Sequence, residues 1–418
     1  MEVRYERCCG LDIHKRMVVA CLVVPGEGRE PKREIRTFGR ETRALLEMAE
    51  WLALNGCMAV AMESTGSFWK PLYNLLEGQC ELLLVNTRHL KLVPGRTRDV
   101  KDAEWIADLL RHGLLQASFV PGRPERELRE LNRYRTPLVR ERAAEVNRIQ
   151  KVLEGANIKL ASVASDVMGV SGRAMLEALV AGVDDAAEMA KLARGRLREK
   201  REPLEQALYG RVGEHQRFML ARQLRHIDEL DRLLAEVDEE VAARLGPFET
   251  KLAQLQTIPG VGRRLAEVIL SEIGVDMGRF PTSGHLASWA GVCPGMNESA
   301  GKNRSGRTRK ANPWLRSALV QAAQSGSRSP TFLGERFRRL IVRLGRNKAA
   351  LTVAHSVLLA IYRLLKTAST TTISDPSMLP GASASMSHAV SLDVSNISAI
   401  RSQSRLPPRS RLRRLYFQ

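Results

Sequence analysis

The sequence predicts a mixed α/β sheet domain, then a long helical region, then a mostly α-helical second compact unit. Three observations carry this. Residues 1–120 alternate strand and helix signals, 121–245 lose strand signals for 3- and 4-residue apolar steps, and 246–368 regain turns between apolar helices. Apolar residues make up 44% of the 418 residues, enough for two or three domains with their own cores.

In the first unit, Gly10–Ile13 and Met17–Val24 read as strands joined by a tight polar turn at His14–Arg16, followed by a turn at Pro25–Pro31 and a third strand at Glu34–Phe38. Thr42–Leu54 has helical apolar spacing at Leu45, Met48, Ala49 and Leu52. Met58–Met62 is a short buried strand ending at Glu63, Phe68–Leu76 a helix, Leu82–Val85 a buried strand, and Pro94–Arg98 a loop. Asp102–Leu110 is a helix with Trp105, Ile106, Leu109 and Leu110 on its apolar side. Further on, Pro121-Gly-Arg-Pro124 marks a hinge. Ile227, Leu230, Leu234, Val237 and Val241 form a heptad seam that suits an intrachain helical hairpin and an oligomer contact equally well. In the second unit, Leu255–Gly274 reads helix–turn–helix, with the turn at Thr257–Gly262, and Trp314–Gln324 and Ala349–Leu365 are further helices. Residues 369–418, rich in Ser, Thr and Pro, read as a disordered tail.

A formal charge of +19 favours a polyanionic partner, since each neutralised phosphate releases condensed counterions. The six cysteines form no Cys-x-x-Cys pair and the eight histidines are scattered, which argues against zinc. No secretory signal or window of membrane-span length is read, so a reduced, cytoplasmic, nucleoid-associated protein without a membrane partner is expected.

Four acids stand out. Asp12 lies in a strand between Leu11 and Ile13, Glu63 ends another, and Asp99 and Asp102 lie where a helix begins. An acid in an apolar strand is costly to bury without a cation. The i, i+3 spacing puts Asp99 and Asp102 on one side of a helical turn, at the positive end of its dipole. Phosphoryl transfer with two Mg²⁺ ions needs such hard oxygen ligands around ions about 3.5–4 Å apart. Singly, each acid is explained as well by a cap or a surface loop; their order, strand, strand, helix, favours a metal site holding Mg²⁺ or Mn²⁺.

A second constellation spans Trp289–Arg316. No acid follows Glu298 until Glu335, while Lys302, Arg304, Arg307, Arg309, Lys310 and Arg316 crowd the gap, with glycines at 291, 295, 301 and 306. A serine needs a base, a metal or local positive charge to act as a nucleophile, and the cations can hold a scissile phosphate. Composition does not choose among Ser288, Ser299, Ser305 and Ser317. The turn Ile258-Pro-Gly-Val-Gly262 resembles a helix-hairpin-helix whose Gly260 and Gly262 expose amides to phosphate, or an ordinary αα-turn. Arg133, Arg135, Arg140, Arg142 and Arg148 form a basic run, either a solvated face or a grip on an RNA backbone.

The words Gly-Leu-Asp-Ile-His-Lys, Glu-Ser-Thr-Gly and Arg-Thr-Arg-Asp-Val-Lys-Asp-Ala-Glu-Trp resemble the DEDD transposases of the bacterial insertion-sequence one-ten (IS110) family, also called bridge-RNA recombinases. The resemblance runs from about residue 8 to 366. It implies an RNase H-like (RuvC-like) sheet domain with Asp12, Glu63, Asp99 and Asp102 as Mg²⁺ ligands, and a C-terminal transposase domain whose Glu-Ser-x-Gly serine is Ser299. It further implies donor and target DNA, a structured noncoding guide RNA, a transient phosphoserine and a tetramer. One departure is Ala311, where the family usually has Gly before Asn-Pro-Trp. Two other functions fit the residues less fully: a RuvC-like structure-selective endonuclease using metal-activated water, which needs no serine, and a non-catalytic nucleic-acid-binding scaffold.

Overall fold

A computed structural model describes residues 2–26, 30–64, 66–86, 90, 102–293, 298–299, 302–303, 308 and 311–367. The loop read at 94–98, Asp99 and the tail lie outside the described residues.

The N-terminal sheet has the strand order β3-β2-β1-β4-β5, built from β1 (Cys8–Ile13), β2 (Met17–Val24), β3 (Lys32–Gly39), β4 (Ala59–Glu63) and β5 (Glu81–Val85). β1 pairs antiparallel with β2 and parallel with β4; β2–β3 is antiparallel and β4–β5 parallel. The strands alternate between two cores. Cys9, Leu11, Ile13, Val60 and Met62 pack with α1 (Thr42–Leu54) and α2 (Trp69–Leu76). Cys8, Ala59 and Ala61 pack on the other face with Ala103, Ile106, Ala107 and Leu110 of α3 (Asp102–Arg111). Both faces are covered, which is why the central strands read as continuous apolar runs. Exposed β3 carries Lys32, Arg33, Glu34 and Arg36, charges that blunt a free sheet edge.

Next come α4 (Arg123–Gly155) and α5 (Glu214–Leu245), antiparallel helices of 33 and 32 residues, each about 50 Å long. The heptad seam is therefore spent inside one chain: Leu230, Val237 and Val241 are buried in the C-terminal core that also takes in Leu128 and Leu138 of α4. The far ends of the pair, with Ile149, Leu153, Leu220 and Leu224, enclose a separate core with the short helices between residues 160 and 208. Four of the five arginines in the basic run meet acids of this same chain: Arg133 with Glu272, Arg135 with Asp238, Arg142 with Asp231 and Arg148 with Glu145. The run is thus mainly a set of internal ion pairs; Arg140 is exposed.

The C-terminal unit contains α6 (Glu249–Gln256), α7 (Arg263–Ile273), α8 (Ser283–Ala290), α9 (Pro313–Gly326), α10 (Phe332–Leu344) and α11 (Arg346–Lys366). Sequence reading missed α8 and α10. Expectation and structure also differ at α11. By length and composition it is apolar enough to cross a membrane, contrary to the reading that no window is. Yet 72% of its apolar window is buried, with Ala354, Val357 and Ile361 fully enclosed as the axis of this core.

Candidate active site

Asp12 sits on the central strand β1, one residue beyond the last parallel pairing with β4, Leu11↔Met62; Glu63 follows Met62 directly. By the period-2 alternation, Asp12 shares the α3 face with Cys8 and Gly10, and Glu63 shares it with Ala59 and Ala61. Asp102 is the first residue of α3, where the helix dipole favours negative charge. Gly10 brings the third acid to the other two. A Cβ there would lie 2.3 Å from the Ala103 carbonyl oxygen and 2.4 Å from the Ala107 nitrogen, so α3 rests directly on the β1 backbone. Sequence reasoning named Gly10 only as a strand residue; its signal was a glycine two positions before a strand acid.

Electrostatics agree with this placement. Burial raises the Asp12 pKa above the usual carboxylate value, the His14 charge opposes the rise, and Asp102 and Glu63 both add to it. His14 Nε2 lies 3.0 Å from Asp12 Oδ2. Three of the four proposed acids thus lie on the α3 side of the sheet, Asp12 and Glu63 at the carboxyl ends of β1 and β4 and Asp102 at the start of α3; Asp99 is outside the described residues. Among the described residues no group of three or more His, Cys, Asp or Glu is close enough to hold a metal ion. The donor set nevertheless suits a hard divalent cation: it is all carboxylate oxygen, on one face, with mutual repulsion that a cation would relieve.

In the C-terminal unit, Ser299 lies in the two-residue strand β6 (Glu298–Ser299), paired antiparallel with β7 (Lys302–Asn303) so that Ser299 faces Lys302 across the hairpin. Arg304, Arg307, Arg309 and Lys310 lie outside the described residues, and Arg316 is half-buried on α9. Of the rival serines, Ser288 and Ser317 are exposed on helices α8 and α9. Gly260, at φ +89°, has a local structural reason to be glycine: a Cβ would lie 2.2 Å from the Ala322 carbonyl oxygen and 2.5 Å from the Gly326 nitrogen of α9. Gly262, the N-cap of α7, has open space around it.

A cleft of about 970 Å³ separates the two units. Tyr73, Glu77 and Asn86 line it from the sheet domain, Arg279, His285, Trp289 and Asn312 from the C-terminal unit, and Phe119 from the connection. Phe119, Phe280 and Trp289 pack tilted to edge-on against one another there, with centroids 4.7 to 5.8 Å apart. Another cavity, of 650 Å³, lies in the helical insertion and is walled by Asp184, Asp185, Glu202 and Glu205, charges that repel a polyanion.

Two family models match the chain. One, described as a transposase of the IS110 DEDD type, covers residues 9–158 and so spans all four proposed acids. The other, described as transposase of the IS116/IS110/IS902 family, covers residues 252–337 and spans Gly260, Ser299 and Arg316. A curated relative, "Probable family 20 transposase" of Pseudomonas aeruginosa, is 24% identical over 320 residues, 76% of this chain and 79% of the relative.

Proposed function

We propose that this chain, whose two ends match transposase models of the IS110 and IS116/IS110/IS902 families, acts on DNA, cutting and exchanging strands with a metal-binding carboxylate edge and a serine nucleophile. What supports the proposal is the placement of Asp12 and Glu63 at the adjoining ends of β1 and β4 and of Asp102 at the start of α3 on the same side of the sheet, with the Asp12 pKa raised by burial and by the two other acids. Together with Asp99 they would hold Mg²⁺ or Mn²⁺, which when bound neutralises phosphate charge and favours an ionised hydroxyl.

The Ser299 hydroxyl forms a bond to the scissile phosphorus, a strand oxygen leaves and takes up a proton, and the other strand end stays on the protein as a phosphoserine. A hydroxyl of the incoming strand then reverses the step and frees Ser299. Lys302, Arg304, Arg307, Arg309, Lys310 and Arg316 hold the phosphate, and the amides near Gly262 contact a neighbouring one. A structured noncoding RNA selects the sites, and a tetramer brings carboxylates and serine together across subunits.

The test is incubation of the full chain, its element's flanking RNA and end-labelled DNA with Mg²⁺, followed by denaturing electrophoresis. A protein–DNA adduct lost in both Ser299→Ala and Asp12→Asn is expected. Free ends without an adduct would mark a structure-selective nuclease using metal-activated water, and an adduct that persists in Ser299→Ala would refute the serine role.

A further inference from the structure

Glu272, in the last turn of α7, has a side chain 1% exposed, yet no step above uses it. Its carboxylate is held from two sides. From α4, Arg133 donates from Nε to Oε1 at 2.8 Å and from Nη2 to Oε2 at 2.9 Å, and Arg129 Nε lies 3.1 Å from Oε2. From the other side, Asn312 Nδ2 donates to Oε2 at 2.6 Å. Asn312 is the N-cap of α9: its Oδ1 accepts from the Trp314 and Leu315 amides, both at 3.1 Å. It is also where the segment carrying Ser299 rejoins the helical core. One turn earlier on α4, Arg126 grips Glu77 at 2.6 and 2.9 Å and Asn74 at 3.0 Å, beside α2 of the sheet domain.

Successive turns of one helix therefore fasten the carboxylate domain and, through Glu272, the C-terminal foot of the serine segment. Stability alone does not call for this arrangement, because a buried ion pair is often matched by apolar packing of the same volume. Nor does capping call for it: a cap needs only an acceptor oxygen, which Ser or Asp supplies as well. What Asn uniquely adds is a donor aimed at Glu272.

We propose that Glu272 is a positioning residue for strand exchange: through Asn312 it fixes where the Ser299 segment enters α9, relative to the arginines of α4 that also grip the carboxylate domain. The inference rests on the serine reading above.

The informative variant is Asn312→Ser, which keeps the helix cap and loses the tether. The probe is a supercoiled plasmid bearing this element with both flanks, cut by the full chain with its RNA. Binding is read separately by anisotropy on a duplex of the element end. Expected are an unchanged melting temperature, unchanged duplex affinity and a cutting rate at saturating DNA lower by about 10- to 100-fold. Glu272→Gln should slow cutting too, and the double variant should be no slower than the slower single one. Cutting at the parent rate in Asn312→Ser, or a loss that merely follows melting temperature or duplex affinity, would overturn the inference. Ser299→Ala in the same assay separates the two failures: if it still cuts, the serine reading falls and takes the tether with it; if it is inert while Asn312→Ser is normal, only the tether falls.

Discussion

The carboxylate edge and the serine hairpin hold their chemistry in place by different means. Asp12 and Glu63 sit at the ends of two hydrogen-bonded parallel strands, and Asp102 opens a helix pressed onto the same sheet, so the register Leu11↔Met62 and the contact at Gly10 locate all three. Among the described residues Ser299 lies in a two-residue strand pairing, and its segment runs from α8 to the α9 N-cap, where Asn312 is bonded to Glu272. A site built into a sheet is positioned by the same burial that stabilises the domain. A site on a hairpin is positioned by a few polar bonds that can be removed singly.

That contrast can be broken from the carboxylate side first. Asp12→Asn should lower strand cutting by about 10³-fold or more while leaving duplex binding intact, measured under single turnover. A residual rate within tenfold of the parent would mean that the sheet edge is not the metal centre.

Backbone contacts come next. Gly10→Ala and Gly260→Ala each press a methyl against helix backbone, and the second also at positive φ; each should cost about 1–3 kcal/mol in chemical denaturation. The comparison is sharpened by activity: Gly10→Ala, which pushes α3 and Asp102 away from β1, should lose cutting beyond its loss of stability, whereas Gly260→Ala should not.

A smaller effect concerns pH. Burial and the two neighbouring acids raise the Asp12 pKa, so without metal its contribution to stability is fully present below its unfolded pKa and is lost as pH rises through the folded value. A divalent cation must displace that proton. The gain in melting temperature from Mg²⁺ should therefore grow as pH rises through the raised Asp12 pKa and should be missing in Asp12→Asn; a gain independent of pH would place the cation elsewhere. The least change is expected from Arg142→Ala, whose half-exposed pair with Asp231 is worth about 1 kcal/mol or less. A marked loss of RNA binding there would restore the basic run as an RNA grip.

Much of the N-terminal domain was legible because its signals are local. Thr42–Leu54 is the helix that its apolar spacing gives, and the strand acids stand out because charge is rare inside apolar runs. The short helix Ser283–Ala290 was missed because its Ser, Gly and His carry little periodicity, and Phe332–Leu344 because arginines interrupt its apolar face. The seam at Ile227–Val241 was ambiguous in principle, since a heptad face does not name its partner. The ion pairs of the basic run were not legible because a linear sequence shows cations without the acids that meet them, such as Asp231 and Asp238, about 90 to 100 residues away in the chain.

What the sequence offered by itself was the strand–helix alternation, the candidates Asp12, Glu63, Asp99 and Asp102, and the basic stretch free of acids from Ser299 to Gly334, because periodicity and charge are properties of neighbours. What only the tertiary structure decided was which groups meet: α3 on Gly10, α5 on α4, and Glu272 between Arg133 and Asn312. Those contacts join residues tens to more than a hundred positions apart, and burial in a shared core, which no local pattern encodes, is what selects them.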